Sequence, residues 1–147
     1  MGTPMLSDPR IPTAALVLGL AGLIPFAACA VAAHAVPAGQ QAGALQALAG
    51  YGAVILSFLG GVRWGLVIRM PAEGAVFPHL LLSVAPSILC WAALLLPTRA
   101  GLALLAVGFI VMLVLDWRTT LAPAWYRRLR LPLSAGAVLA LAAGLLL

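Results

Sequence analysis

The stretch YGAVILSFLGGVRWG, residues 51–65, decides how this chain folds. It is apolar enough to cross a bilayer, yet it carries four glycines, a serine and one arginine. Ala49, Ala53, Ser57, Gly61 and Gly65 recur at every fourth position and so stack on one face of a helix. Small residues at that spacing let a second helix backbone come close, which is how helices pack in lipid. Arg63 stands two residues past Gly61 and projects to roughly the opposite side. The expectation is a transmembrane helix with a small packing face and a separate charged face.

The rest of the chain agrees with a membrane reading. Of 147 residues, 65% are hydrophobic and only 7% charged, against about a quarter charged in soluble domains; the mean hydropathy is +1.17. Five apolar segments are expected, at residues 13–33, 44–68, 77–96, 101–117 and 131–147, after a polar tail at residues 1–12 that holds Asp8 and Arg10. Each is long enough to cross a hydrocarbon core of about 30 Å at about 1.5 Å per residue. The first span is too long for a signal-peptide core and precedes four others, so it reads as uncleaved, with a kink at Pro25. The fold class is therefore all-α: one polytopic bundle of five transmembrane helices over residues 13–147. Loops are expected at residues 34–43, 69–76 and 97–100, with the longest charged one after Trp117.

The charge of +5 comes from eight arginines and no lysine. These arginines fall in a few loops rather than over a folded basic surface, which argues against nucleic acid. They follow a topology rule instead. With the N-terminus in the cytoplasm, Arg10, Arg63, Arg69, Arg118, Arg127, Arg128 and Arg130 are on or near the inner side and only Arg99 is outside. That bias places the C-terminus outside. Trp64, Trp117, Trp125 and Tyr126, with Arg127, Arg128 and Arg130, then read as interfacial anchors at the inner headgroups, and residues 123–130, PAWYRRLR, as a short amphipathic interfacial helix.

Three groups of residues raise functional questions. Arg63, His79 and Asp116 reach a similar depth near the inner ends of the second, third and fourth spans. Intramembrane charges are costly and are usually paired or functional. A structural Arg63–Asp116 ion pair is favoured over a proton-handling cluster with His79. His79, Ser83, Ser87 and Trp91 share one face of the third span beside Pro86. They read either as a polar lining or as hydrogen bonds relieving a proline kink, and the second is favoured because serine bonds its own helix backbone. Gly136, Ala140 and Gly144 make a second small stripe on the fifth span, expected to mate with the stripe of the second. Cys29 and Cys90 both fall in the outer third of their spans and are expected to be buried apolar residues rather than a redox pair. No metal-ligand spacing, phosphate loop, nucleophile elbow or haem-binding histidine pair occurs, so no metal, cofactor or enzymatic activity is expected.

YGAVILSFLGGVRWG (51–65), SVAPSILCWAALLLP (83–97), Asp116 and APAWYRRLRLPLS (122–134) resemble the small integral-membrane family of unknown function that includes eukaryotic transmembrane protein sixty-nine. The resemblance covers nearly the whole chain from about Ile11. The family pattern often has histidine where this chain has Arg63, which weakens a metal or proton-relay role there. The resemblance implies a bacterial inner membrane or mitochondrial location and no established activity. Three functions stay open: a non-enzymatic accessory or assembly component of a larger membrane complex, which is favoured; a binder or carrier of a small lipophilic ligand such as quinone, porphyrin or lipid; and a proton-coupled transporter. The lipid bilayer is the expected partner in all three.

Overall fold

The computed structural model describes residues 10–71, 76–119 and 121–147. Asp8 and most of the N-terminal tail, and Glu73 in the expected loop at residues 69–76, lie outside the described residues. Among the described residues every regular element is helical: α1 (Thr13–Ala21), α2 (Ile24–Ala35), α3 (Ala38–Val67), α4 (Val76–Leu95), α5 (Thr98–Arg118) and α6 (Ala124–Leu145). The first two form one interrupted span, and five segments are long and apolar enough to cross a membrane.

The helix boundaries correct the expected loops. Residues 34–43 are not a loop: α2 runs to Ala35, α3 begins at Ala38, and only residues 36–37 lie between them. Pro37 supplies the N-terminal boundary of α3, and Gln41 Nε2 reaches back to the Ala33 carbonyl at 3.2 Å. At 30 residues, α3 is about 45 Å long at 1.5 Å per residue, more than a bilayer core requires, so it tilts or projects. The turn at residues 97–100 shrinks in the same way, because α5 starts directly after Pro97. The expected interfacial helix at residues 123–130 is continuous with the fifth span. Pro123 precedes its first turn, α6 starts at Ala124 rather than Leu131, and Pro132 is carried inside it.

The kink expected near Pro25 occurs at Gly22–Leu23, with Pro25 in the first turn of α2, where its missing N–H is of no consequence. In lipid every backbone polar group needs a protein partner, and here the Tyr51 hydroxyl donates to the Gly22 carbonyl at 2.9 Å. Phe26 sits directly below the break, edge-on to Tyr51 (4.9 Å between centroids) and to Phe109 (5.9 Å).

α3 is the central element, packed against α2, α4, α5 and α6. Its buried residues, from Leu45 through Leu48, Ala49, Gly52, Ala53, Leu56, Leu59, Gly60 and Arg63 to Val67, follow a helical repeat of three and four. Around them Phe26, Phe109, Leu102, Leu105 and Leu141 complete one core. The outer surface is apolar too: Val54, Phe58, Phe77, Ile88, Trp91 and Leu139 are all largely exposed. In water such a surface drives association; on spanning helices it is the lipid-facing side.

The C-terminal part of α3 departs from the expected division into a packing face and a charged face. Arg63 is on the packed face, whereas Gly61 and Gly65 are exposed and meet nothing within 4 Å. Ala49 and Ala53 are buried as expected. The tight helix contact is made by Gly60, where a side chain would run into the Ser83 carbonyl of α4 and lie 3.4 Å from the Pro86 ring. The main neighbour of α3 is accordingly α4, not α6. On α6 the small residues divide their contacts. Gly144 approaches Leu48 of α3 and Leu102 of α5, while Gly136 packs against Leu23 at the break between α1 and α2, and Ala140 is half-buried against the core.

Candidate functional site

Three ionisable side chains meet inside the bundle. Asp116 lies two residues from the end of α5, Arg130 is in the second turn of α6, and Arg63 is one turn from the end of α3. Residues 119–123 link α5 to α6, and Thr119 Oγ1 accepts a hydrogen bond from the Leu121 N–H at 3.3 Å in that link. The reversal brings Asp116 and Arg130 face to face. Arg130 Nε donates to Asp116 Oδ2 at 3.0 Å, and Arg63 Nη1 stands 3.8 Å from Asp116 Oδ1. Each carboxylate oxygen thus faces one guanidinium. Arg63, Asp116 and Arg130 are each only 4% exposed.

The expected Arg63–Asp116 pair therefore exists, but it is the longer arm of a three-residue cluster. Arg130, expected as a headgroup anchor, is buried and holds the shorter bond. The signal was present in the sequence: Asp116 and Arg130 are equidistant from Pro123, and in a short antiparallel helical hairpin such positions oppose each other. Arg130 also begins the buried repeat Arg130, Ser134, Ala137, Leu141, Gly144. His79, the third expected member, forms no ion pair with Asp116 among the described residues: its carbonyl accepts from Ser83 Oγ at 2.8 Å, and its half-buried ring Nδ1 finds no partner among those residues.

Two cations to one anion leave the cluster formally at +1. Guanidinium donors also outnumber acceptors: Arg63 Nε and Nη1 and Arg130 Nη2 are buried without a hydrogen-bond partner among the described residues. So is the hydroxyl of Ser134, one turn beyond Arg130 on the same face. Buried polar groups are normally satisfied, so the three guanidinium nitrogens beside this carboxylate are donors left open to a further acceptor.

A cleft of about 390 Å³ opens beside this cluster. α1 and the Gly22–Leu23 break form one wall, Ile55, Phe58, Leu59 and Val62 of α3 the second, and α6 from Trp125 to Ala137 the third; Phe26 and Phe109 close the floor. Arg130 is the one charged side chain in this otherwise almost wholly apolar lining. Trp125 and Tyr126 stand at the same end in an edge-to-face contact of 6.1 Å. None of the residues of α1 is buried, so that wall is lightly held.

The remaining expected positions fall outside this centre. Ser83 back-bonds to its own helix, and Ser57 and Ser87 share a 2.8 Å hydrogen bond between α3 and α4. The polar face of α4 thus relieves the Pro86 region rather than lining a cavity, and Trp91 points outward. Trp64 and Trp117 are outward-facing as interfacial anchors should be, and so is Arg128, while Arg127 is half-buried. Cys29 and Cys90 are free thiols, the second buried. Among the described residues no group of three or more metal-ligating side chains occurs.

Residues 11–146 match the family described as "Protein of unknown function (DUF3429)". The chain is 37% identical over 142 residues to Transmembrane protein 69 of Xenopus tropicalis, covering 92% of this chain and 54% of that protein. It is 33% identical over 126 residues to Transmembrane protein 69 of Mus musculus, covering 82% and 50%. The chain thus spans about half the length of these curated relatives. No solved structure matches. The family expected from residues 51–65, 83–97 and 122–134 is therefore the one found, and this multi-pass membrane protein belongs to the DUF3429 family.

Proposed function

We propose that the protein is a non-enzymatic binder of a small lipophilic ligand within the membrane. One observation carries this reading: an apolar cleft of about 390 Å³ ends at a buried arginine that retains an unused donor. That volume falls in the range of about 300–1,000 Å³ usual for small-molecule sites, which combine apolar walls with a few placed polar groups. Arginine distribution supports an N-terminus in the cytoplasm and a C-terminus outside, and the location proposed from the family resemblance is a bacterial inner membrane or a mitochondrial membrane. The proton-coupled reading has less support, because His79 forms no ion pair with Asp116 among the described residues.

Native mass spectrometry after release from mild detergent tests the proposal. The wild-type protein is expected to carry one lipophilic molecule. Gly19 lines the cleft opposite Leu133, whose Cδ1 lies 2.8 Å from where a Cβ on residue 19 would sit, so Gly19→Leu is expected to fill the cleft and abolish retention. An empty wild-type protein, or a Gly19→Leu variant that keeps its ligand, refutes the reading.

A second reading has its own observation. Gly61 and Gly65 form a small-residue face on α3 that looks out of the bundle and meets nothing. Such a face suits a further transmembrane helix, in keeping with an accessory role in a larger membrane complex. Co-purification from mild detergent that survives Gly61→Leu argues against it.

A further inference from the structure

Resting on the ligand-binding reading above, we infer that the ligand is an amphiphile with a singly charged oxyanion head, a carboxylate or phosphate, held by Arg130 while its chain fills the cleft. Three observations converge on this. The cluster of Arg63, Asp116 and Arg130 carries one uncompensated positive charge where charge is most costly; one anion would balance it. Arg130 is 4% exposed and lines the cleft, and its Nη2 has no partner among the described residues because Asp116 is engaged by Nε alone. A guanidinium presents its donors in a planar fork matched to carboxylate and phosphate. The Ser134 hydroxyl one turn away is also without a partner among the described residues, but it does not line the cleft.

The cleft decides between an amphiphile and a free anion. Its lining is apolar apart from the arginine end, and its rim residues Leu18 and Phe58 are 72% and 65% exposed on the outer surface of the bundle. The way in leads from the hydrocarbon region, which a hydrated inorganic ion does not cross. Trp125 and Tyr126 at the arginine end belong at headgroup level. The head then sits near the interface on the side of residues 63, 116 and 130, with the chain running towards Phe26 and Phe109.

Trp125 is a built-in reporter, being the one tryptophan that lines the cleft. In a form with Trp64, Trp91 and Trp117 changed to Phe, held in phosphatidylcholine nanodiscs at alkaline pH, its fluorescence is titrated with three brominated probes of matched chain length: a fatty acid, a lysophosphatidylglycerol, whose phosphodiester carries a single negative charge, and a fatty alcohol. Saturable quenching is expected from all three. The two anions should reach half-saturation at concentrations at least about tenfold lower than the alcohol, which corresponds to one charge-assisted hydrogen bond. Excess inorganic phosphate should not displace them. Arg130→Gln should erase the preference, bringing the anions and the alcohol to the same half-saturation. Equal half-saturation by acid and alcohol in the unsubstituted site overturns the oxyanion inference while leaving ligand binding intact; this comparison stands even where Arg130→Gln does not fold. Displacement by inorganic phosphate also overturns it, in favour of a small-ion site. Non-saturable quenching by all three probes sinks the cleft itself.

Discussion

Removing the carboxylate at position 116 should destabilise the protein more than removing either arginine. With an effective dielectric near 20, the 3.8 Å contact to Arg63 is worth about 4 kcal/mol and the 3.0 Å contact to Arg130 about 5–6 kcal/mol before desolvation. Mutual repulsion of the two guanidiniums opposes this and persists when Asp116 is replaced. Asp116→Asn therefore loses both attractions, keeps the repulsion and leaves two buried cations without a counter-ion. Breaking a buried pair costs about 3–5 kcal/mol, and this case belongs at or above the top of that range. Arg130→Met loses one attraction but also removes the repulsion and leaves a neutral Arg63–Asp116 pair, so about 1–3 kcal/mol is expected from the same terms. The triple change Arg63→Met, Asp116→Leu, Arg130→Met should recover most of the loss, because apolar side chains of similar volume replace buried ion pairs at little net cost. Unfolding by sodium dodecyl sulfate in mixed micelles, followed by far-ultraviolet circular dichroism, reads all four proteins on one scale. An Asp116→Asn cost no larger than that of Arg130→Met would refute the charge count on which this reasoning rests.

The same titration separates two adjacent glycines. Gly60→Ala drives a methyl into the Ser83 carbonyl and should cost about 1–3 kcal/mol as overpacking, whereas Gly61→Ala faces open space and should be neutral or gain up to about 1 kcal/mol from helix propensity. Tyr51→Phe leaves the Gly22 carbonyl without its hydroxyl donor; a loss of about 1–3 kcal/mol and faster amide exchange confined to the α1–α2 break are expected, and uniform exchange would contradict it. A double-mutant cycle on Ser57→Ala and Ser87→Ala should return a coupling of only about 0.6 kcal/mol, the usual worth of an interhelical hydrogen bond in a membrane.

The spans were legible in the sequence because length and hydropathy are local properties. All five expected segments overlap observed helices, and the interruption at Gly22–Leu23 is three residues or fewer from the proline that signalled it. The orientation of each helix about its own axis was harder to read. In a soluble protein apolar residues mark the inside; here both faces of α3 are apolar, so small residues served as the guide. They pointed the wrong way at Gly61 and Gly65, because Gly60, one position earlier, is the one pressed onto α4. The charge was the better indicator. A cation that is not at a helix end must be buried with a partner or reach the headgroups, and Arg63 with its buried neighbours Leu59, Gly60 and Val67 shows which face is inside.

Apart from the half-buried Arg127, the arginines divide into two kinds that composition alone does not separate. Arg10, Arg69, Arg99, Arg118 and Arg128 are exposed, as topology determinants should be. Arg63 and Arg130 are buried around a single aspartate. A pair of opposite charges would have sufficed to hold α3 or α6 to α5, and at lower cost, since each further buried ion needs its own compensation. The second arginine leaves the cluster with one excess charge and unused donors, and it stands at the inner end of an apolar cleft. Stability alone gives no reason for that excess. A ligand that supplies the missing negative charge does, and it makes a linked prediction: binding of an anionic amphiphile should stabilise the wild-type protein by RT ln(1 + [L]/Kd), about 2.7 kcal/mol at a hundredfold excess over Kd. The same addition should leave Arg130→Met nearly unchanged, because its remaining Arg63–Asp116 pair is already neutral. Equal stabilisation of the two proteins would mean that the cluster is structural and that the charge excess takes no part in binding.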